Sequence, residues 1–323
     1  MLAIQAQSAG GAEVLKAIDL PTPKPGPGQI LIRHAAVGLN FIDIYQRTGL
    51  YPIKFPTVLG LEGAGTVEAI GEGVTRFAVG DRAAYGTGPL GAYSEAHLVP
   101  EGRAVHLPQD ISFDQAAAAM LKGMTAEFLI RRCYPVSAGD TILVHAAAGG
   151  VGTILTQWAR ALGATVIGTV GSDEKAALAR AQGCHHTILY RTEDVAAKVA
   201  EITGGKGVQV VYDSVGADMF EASLASLARR GLFVSYGNAS GPVAPFAPAR
   251  LAQAGSVFMT RPTLFDYVAT TEELDASAAA LFAVIGSGAV TIEIGARFAL
   301  ADTRKAHEAL EGRATTGATL LIP

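Results

Sequence analysis

The stretch HAAAGGVG at residues 145–152 constrains the fold of this chain more than any other feature. Before it runs the apolar segment Thr141-Ile142-Leu143-Val144, and after it comes a helical pattern over residues 153–162. A buried strand, a glycine turn and a helix in that order form a site for a nucleotide pyrophosphate. Gly149 and Gly152 carry no Cβ, so the turn can be tight and the backbone can approach a ligand closely. The unpaired N–H groups and positive dipole end of the following helix then face the phosphates. Glycine turns are common, but here a second apolar segment, residues 164–170, lies where a βαβ unit needs its next strand.

From about residue 121 to 262 strands and helices alternate. Strands are expected at 141–146, 165–170, 186–190, 208–213, 231–236 and 256–260, with helices at 173–182, 193–203 and 218–229. That rhythm predicts an α/β domain with a doubly wound parallel sheet and a ligand at the carboxyl ends of its strands. Residues 1 to about 120 are instead dense in turn formers, with short β runs at 29–36, 65–70, 82–85 and 92–99. They predict a mostly antiparallel, barrel-like domain, with a helix starting at 114–120. After Pro262 a helix near 272–285, a strand near 290–298 and a helix near 302–311 break the alternation. This tail is expected to complete the first domain. The expected division is therefore 1–121 with 262–323, and 122–261.

A length of 323 residues suits two domains. The net charge of −4 gives no electrostatic reason to bind nucleic acid or acidic membranes. The uncharged stretch 276–292 is broken by Gly286-Ser287-Gly288 and reads as a buried helix turning into a strand, not a membrane span. Met1–Gln5 shows neither the basic nor the long apolar region of a secretory signal. Only Cys133 and Cys184 occur, so no disulfide framework is implied, and a cytoplasmic protein is expected.

The end of the second strand bears on the choice of cofactor. Dinucleotide sites specific for NADH place a carboxylate there on the ribose 2′-hydroxyl. This chain has Val170-Gly171, followed by Ser172-Asp173-Glu174-Lys175. No carboxylate repels a 2′-phosphate at that position, and Lys175 with the Ser172 hydroxyl would hold one, with Arg191 as a further cation. Lys175 equally fits a solvated charge in the first turn of a helix, beside Asp173 and Glu174. NADPH is the expected cofactor. Ser214, in Asp213-Ser214-Val215-Gly216, and Asn238, in Ser235-Tyr236-Gly237-Asn238, end the fourth and fifth strands, where such ligands sit.

Taken with Gly38-Leu39-Asn40-Phe41-Ile42-Asp43, Gly60-Leu61-Glu62-Gly63-Ala64-Gly65 and the closing Arg313-Ala314-Thr315-Thr316-Gly317, these motifs resemble the zeta-crystallin type of quinone oxidoreductase. That group is a zinc-free branch of the medium-chain dehydrogenase/reductase superfamily. The resemblance spans nearly the whole chain and implies a GroES-like barrel beside a Rossmann domain. Zinc enzymes of the superfamily carry a Cys after the first of these glycines and a His before the glutamate. Asn40 and Leu61 stand at the equivalent places, no Cys precedes Cys133, and leucine supplies no ligand, so no metal is expected.

An electrophilic quinone, aligned rather than activated, is the implied acceptor, taking a hydride from the nicotinamide or electrons passed singly. Asn40, Tyr45 and Tyr51 are the implied donors to its oxygens. Loop packing for the tyrosines and a turn bond for Asn40 are the alternatives. Lys122, Thr125, Gly150, Val151, Tyr190 and Asn238 are implied to line the cofactor, with Arg313 reaching back to it. A homodimer through the edge strand Ser256–Thr260 is implied as well. Two other functions stay open: reduction of an enal or enone double bond, and a cofactor-binding structural or RNA-binding role, against which the lack of a basic run counts. Lys175→Ala is expected to weaken NADPH binding far more than NADH binding in fluorescence titrations. Equal losses would show that the phosphate is held elsewhere.

Overall fold

In the computed structural model, which describes residues 1–312 and 314–323, the chain divides into two compact units, each with its own buried apolar cluster. The first unit takes residues 1–124, 268–287 and 292–323, and the second takes 125–267 and 288–291.

The first unit opens with β1 (Leu2–Ala6), β2 (Leu15–Asp19), β3 (Gln29–Leu39), α1 (Phe41–Thr48) and β4 (Thr57–Val58). It continues through β5 (Gly63–Ile70), β6 (Arg82–Tyr85), β7 (Ala96–Pro100) and β8 (Val105–His106), and α2 (Phe113–Phe128) leads into the second unit. There follow β9 (Thr141–Val144), α3 (Gly150–Ala161), β10 (Thr165–Val170), α4 (Asp173–Ala181), β11 (His186–Leu189), α5 (Val195–Thr203) and β12 (Val208–Asp213). The second unit closes through α6 (Phe220–Ser226), β13 (Leu227–Ser235), α7 (Ala249–Gln253), β14 (Phe258–Thr260) and α8 (Leu264–Tyr267). The tail adds α9 (Thr271–Gly286), β15 (Ile294–Ala299), α10 (Thr303–Glu311) and β16 (Ala318–Ile322).

The six strands of the second unit run in the order β11-β10-β9-β12-β13-β14, every neighbouring pair parallel. Counted from β9, that is the 3-2-1-4-5-6 order of the Rossmann fold, whose direction of winding reverses between β9 and β12. Ile142, Leu143 and Val144 are fully buried because β9 has a strand on each side and sits in the middle of the sheet, which explains its unbroken apolar run.

In the first unit β3 is the hub. It pairs antiparallel with β5, β7 and β16, giving the order β15-β16-β3-β5-β6-β8, while β1 joins β2 and β4 in a smaller sheet. The tail thus returns to the first unit: β16 binds β3, and Leu300, Ala306 and Leu321 enter its core.

Several boundaries differ from the expectation. The helix after the glycine turn starts at Gly150, not residue 153. β13 begins early, at Leu227, because that residue pairs with Val208 across a register shift. β14 starts two residues late, after Ser256 at φ 58, a left-handed conformation that interrupts an extended strand. Helix α1 was not expected. Yet Phe41, Ile44, Tyr45 and Thr48 have helical spacing, and Gly49 ends the helix in the left-handed region at φ 84.

Candidate functional site

Glu62 has no exposed surface, and a buried carboxylate needs partners. Its Oε1 accepts the Leu121 amide at 2.6 Å; its Oε2 accepts the Asn40 side-chain amide at 2.8 Å and the Lys122 ammonium at 3.0 Å. Lys122 is itself only 6% exposed, so the pair is desolvated on both sides. Gly38 completes the packing, since a Cβ there would run into the Glu62 carboxylate and the Ala117 carbonyl. An acidic side chain inside the apolar, glycine-rich run 59–65 was the available signal that a cation lies opposite.

Asn40 stands just before α1, and its backbone amide donates to Asp43 Oδ2 at 2.9 Å. The Asn40 side-chain nitrogen is directed at Glu62, with a longer bond of 3.4 Å to the Gly38 carbonyl. Tyr45 and Tyr51 lie edge to face, ring centres 5.2 Å apart, and the Tyr51 amide donates to the Tyr45 carbonyl at 3.0 Å. Tyr45 is buried on α1 and not on a loop; Tyr51 is half-buried.

Beneath them, Asp43 Oδ2 also accepts the Tyr93 hydroxyl at 2.8 Å. Tyr93 O meets His307 Nε2 at 3.0 Å, and His307 Nδ1 meets Arg47 Nη1 at 3.1 Å. Arg47, 1% exposed, ends on Glu311 at 2.6 Å. With Tyr93 donating to Asp43 and Arg47 donating to Nδ1, His307 must carry its proton on Nε2. Burial holds His307 neutral, lowering it to about 3, with the Arg47 charge adding to the effect. Burial likewise pushes the Asp43 carboxyl up to about 7, against the hydrogen bonds from Tyr93 and Asn40 that oppose it. Asp43 Oδ1 has no hydrogen-bond partner among the described residues.

In the second unit, β9 ends at Val144 and the chain turns over His145–Gly149 into α3. Ala146 takes φ 52, uncommon for a residue with a side chain. A Cβ on Gly152 would strike the Ala146 carbonyl, so only glycine lets α3 start this close to the turn. The amides of Gly150, Val151 and Gly152 precede the first intrahelical bond, from Thr153 N to Gly149 O at 2.9 Å; such groups are left for a ligand.

The ends of β10 and β11 meet at Gly171, where an added Cβ would lie 3.0 Å from the Tyr190 hydroxyl and 3.4 Å from Arg191 Nε. Ser172 caps α4, its Oγ accepting the Lys175 amide at 3.3 Å, which leaves the hydroxyl proton to donate elsewhere. Lys175 is half-buried in the first turn of α4. Ser214 and Asn238 come together because β12 and β13 end side by side: the Ala239 amide donates to Ser214 O at 3.2 Å, and Gly237 packs against the Ser214 backbone. Thr125 lies one turn beyond Lys122 on α2, 9% exposed. Arg313 lies outside the described residues. No group of three His, Cys, Asp or Glu side chains placed to hold a metal ion occurs among the described residues.

Residues 26–109 match the family model of the alcohol dehydrogenase GroES-like domain, and residues 150–282 match that of the zinc-binding dehydrogenases. A quinone oxidoreductase of Pseudomonas aeruginosa is 55% identical over 321 residues, covering 99% of both chains. The chain belongs to the quinone oxidoreductase family of medium-chain dehydrogenases/reductases. Within that family, the crystal structure of the Escherichia coli quinone oxidoreductase complexed with NADPH superposes with a TM-score of 0.99 at 47% identity, covering all of both chains. A 2-haloacrylate reductase of Burkholderia is 44% identical, over 97% of this chain and 96% of its own.

Two outcomes follow from the polar core of this family member. Glu62→Leu strands Lys122 as a buried, unpaired charge and is expected to cost about 3–5 kcal/mol in urea unfolding, whereas Glu62→Leu with Lys122→Met recovers most of that loss. For Asp43, the folded-state pKa exceeds the unfolded value of 3.8, so the folded protein binds the proton more tightly. That contribution is complete only below the unfolded pKa of 3.8 and is lost as pH rises through about 7. Between pH 5 and pH 7.5, Asp43→Asn should therefore lose less stability than the parent, by about 1–3 kcal/mol in parallel denaturant series.

Proposed function

We propose that the protein reduces quinones with NADPH, that the first unit supplies the groups that meet the acceptor, and that the second holds the cofactor. The observation that carries the cofactor assignment is the cradle itself: three helix N-terminal amides, a glycine at the end of β10, and Ser172, Lys175, Tyr190 and Arg191 around it. Those residues fit NADPH. The amides and the α3 dipole match a pyrophosphate, and Lys175 and Arg191 match a 2′-phosphate. Gly149–Gly152 would hold the pyrophosphate, while Thr125, Ser214 and Asn238 would line the rest. When bound, NADPH supplies the hydride, and one proton from solvent completes the hydroquinone.

Glu62 fixes both Asn40 and Lys122; the Asn40 side-chain hydrogens are directed at Glu62 and the Gly38 carbonyl, so on the acceptor side Asn40 acts by holding the wall of the site in place. Tyr51, half-buried and packed edge to face on Tyr45, is the tyrosine assigned to the acceptor oxygen. The relatives named for quinone reduction support this reading. The relative named for reducing a 2-haloacrylate, an activated alkene, favours a second one, reduction of a conjugated carbon–carbon bond by the same cofactor.

A homodimer is proposed through β14, an edge strand whose Phe258 is 63% exposed. A cytoplasmic location fits two cysteines that form no disulfide. No helix among the described residues is long and apolar enough to cross a membrane. Steady-state rates decide between the two substrates. The expectation is a kcat/KM for 1,4-benzoquinone at least tenfold above that for a 2-alkenal, with NADPH preferred to NADH and no effect of a chelator. The reverse order of acceptors would overturn the quinone assignment in favour of the alkene.

A further inference from the structure

His145 opens the glycine turn, yet its side chain points away from solvent and has no exposed surface. Its Nδ1 lies 2.9 Å from Thr169 Oγ1, near the end of β10, and its Nε2 lies 2.9 Å from Ser223 Oγ on α6. Ser223 Oγ in turn donates to Asp213 Oδ2 at 3.2 Å, at the end of β12. Asp213 Oδ1 accepts the amides of Val215 at 2.6 Å and Gly216 at 3.0 Å. Thr169, Ser223 and Asp213 are as buried as the histidine, each at most 1% exposed.

The donors fix one direction for the whole chain. Because the Ser223 proton goes to Asp213, the serine oxygen must accept, so His145 carries its hydrogen on Nε2. Its Nδ1 is then the acceptor for the Thr169 hydroxyl. The ring is neutral, since burial lowers its pKa and outweighs the nearby Asp213 charge. Every member of this chain is satisfied, and three of the four stand next to a loop of the proposed cofactor cradle. His145 leads into the turn at 146–149, Thr169 stands two residues before Gly171, and Asp213 directly precedes Ser214.

We propose that Thr169, His145, Ser223 and Asp213 form a positioning chain that sets the mutual register of three cofactor-binding loops and thereby the affinity for NADPH. The proposal rests on the reading of those loops as the NADPH site. A hydrophobic core would hold the strands together but would not fix the rotation of the turn about its entry point. Directional bonds from one ring to the neighbouring strand and, through Ser223, to the next strand do fix it. Loss of both bonds lets the turn rotate out of register and is read as about a tenfold loss of NADPH affinity, equivalent to about 1.4 kcal/mol.

The test measures NADPH dissociation by nicotinamide fluorescence without acceptor, next to kcat, both KM values and the thermal midpoint, for the full-length parent, His145→Phe, His145→Gln and Ser223→Ala. His145→Phe is expected to raise the NADPH dissociation constant about tenfold. KM for NADPH should follow it, while kcat at saturating NADPH and KM for benzoquinone change less than about twofold. His145→Gln keeps a donor and an acceptor and should recover most of the affinity. Ser223→Ala, a small change that cuts the link to Asp213, should weaken NADPH about threefold or more even if the phenylalanine variant does not fold. A lowered thermal midpoint with unchanged NADPH affinity in Ser223→Ala would overturn the proposal and reduce the chain to core stability. Failure of the parent itself to bind NADPH would instead overturn the cofactor reading on which it rests.

Discussion

A carboxylate with no access to water governs the arrangement of the first unit. Buried there, the Glu62 carboxylate needs Lys122, Asn40 and the Leu121 amide closing around it. Meeting that requirement fixes three otherwise separate segments: the end of β3 with α1, the approach to β5, and the middle of α2. It also explains why Gly38 bears no side chain, because the space that a Cβ would need is taken by the Glu62 carboxylate. The placement of Asn40 and Lys122 thus follows from satisfying one buried carboxylate.

The second unit solves a different problem. Three strand ends, those of β9, β10 and β12, stop side by side in the parallel sheet. The parallel order around β9 brings the ends together, and hydrogen bonds through the neutral His145 and Ser223 link them, ending on the buried Asp213 carboxylate. The histidine and serine spend their polarity inward and leave the outward face to the amides of Gly150–Gly152.

Much of this was legible in the residues. The strand–turn–helix at 141–161 and the alternation after it give the parallel sheet, because apolar runs between glycines have few other ways to be buried. Residues paired across long separations were harder to read. Glu62 with Lys122, Tyr93 with His307, and His145 with Ser223 lie 60, 214 and 78 positions apart, and nothing local in the sequence signals such partners. Each announces only that a polar group sits among apolar ones. Helix α1 was missed for a related reason: its eight residues were read as a motif with following loop tyrosines, although their spacing is helical.

The return of the tail has a consequence for how the chain is made. β16 supplies a partner strand to β3, and α10 brings His307 and Glu311 to the polar core beneath α1. During synthesis, the part that leaves the ribosome first therefore waits longest for its missing pieces, while nearly all of the parallel-sheet unit has already emerged. The oldest segment of the nascent protein is the last to be finished.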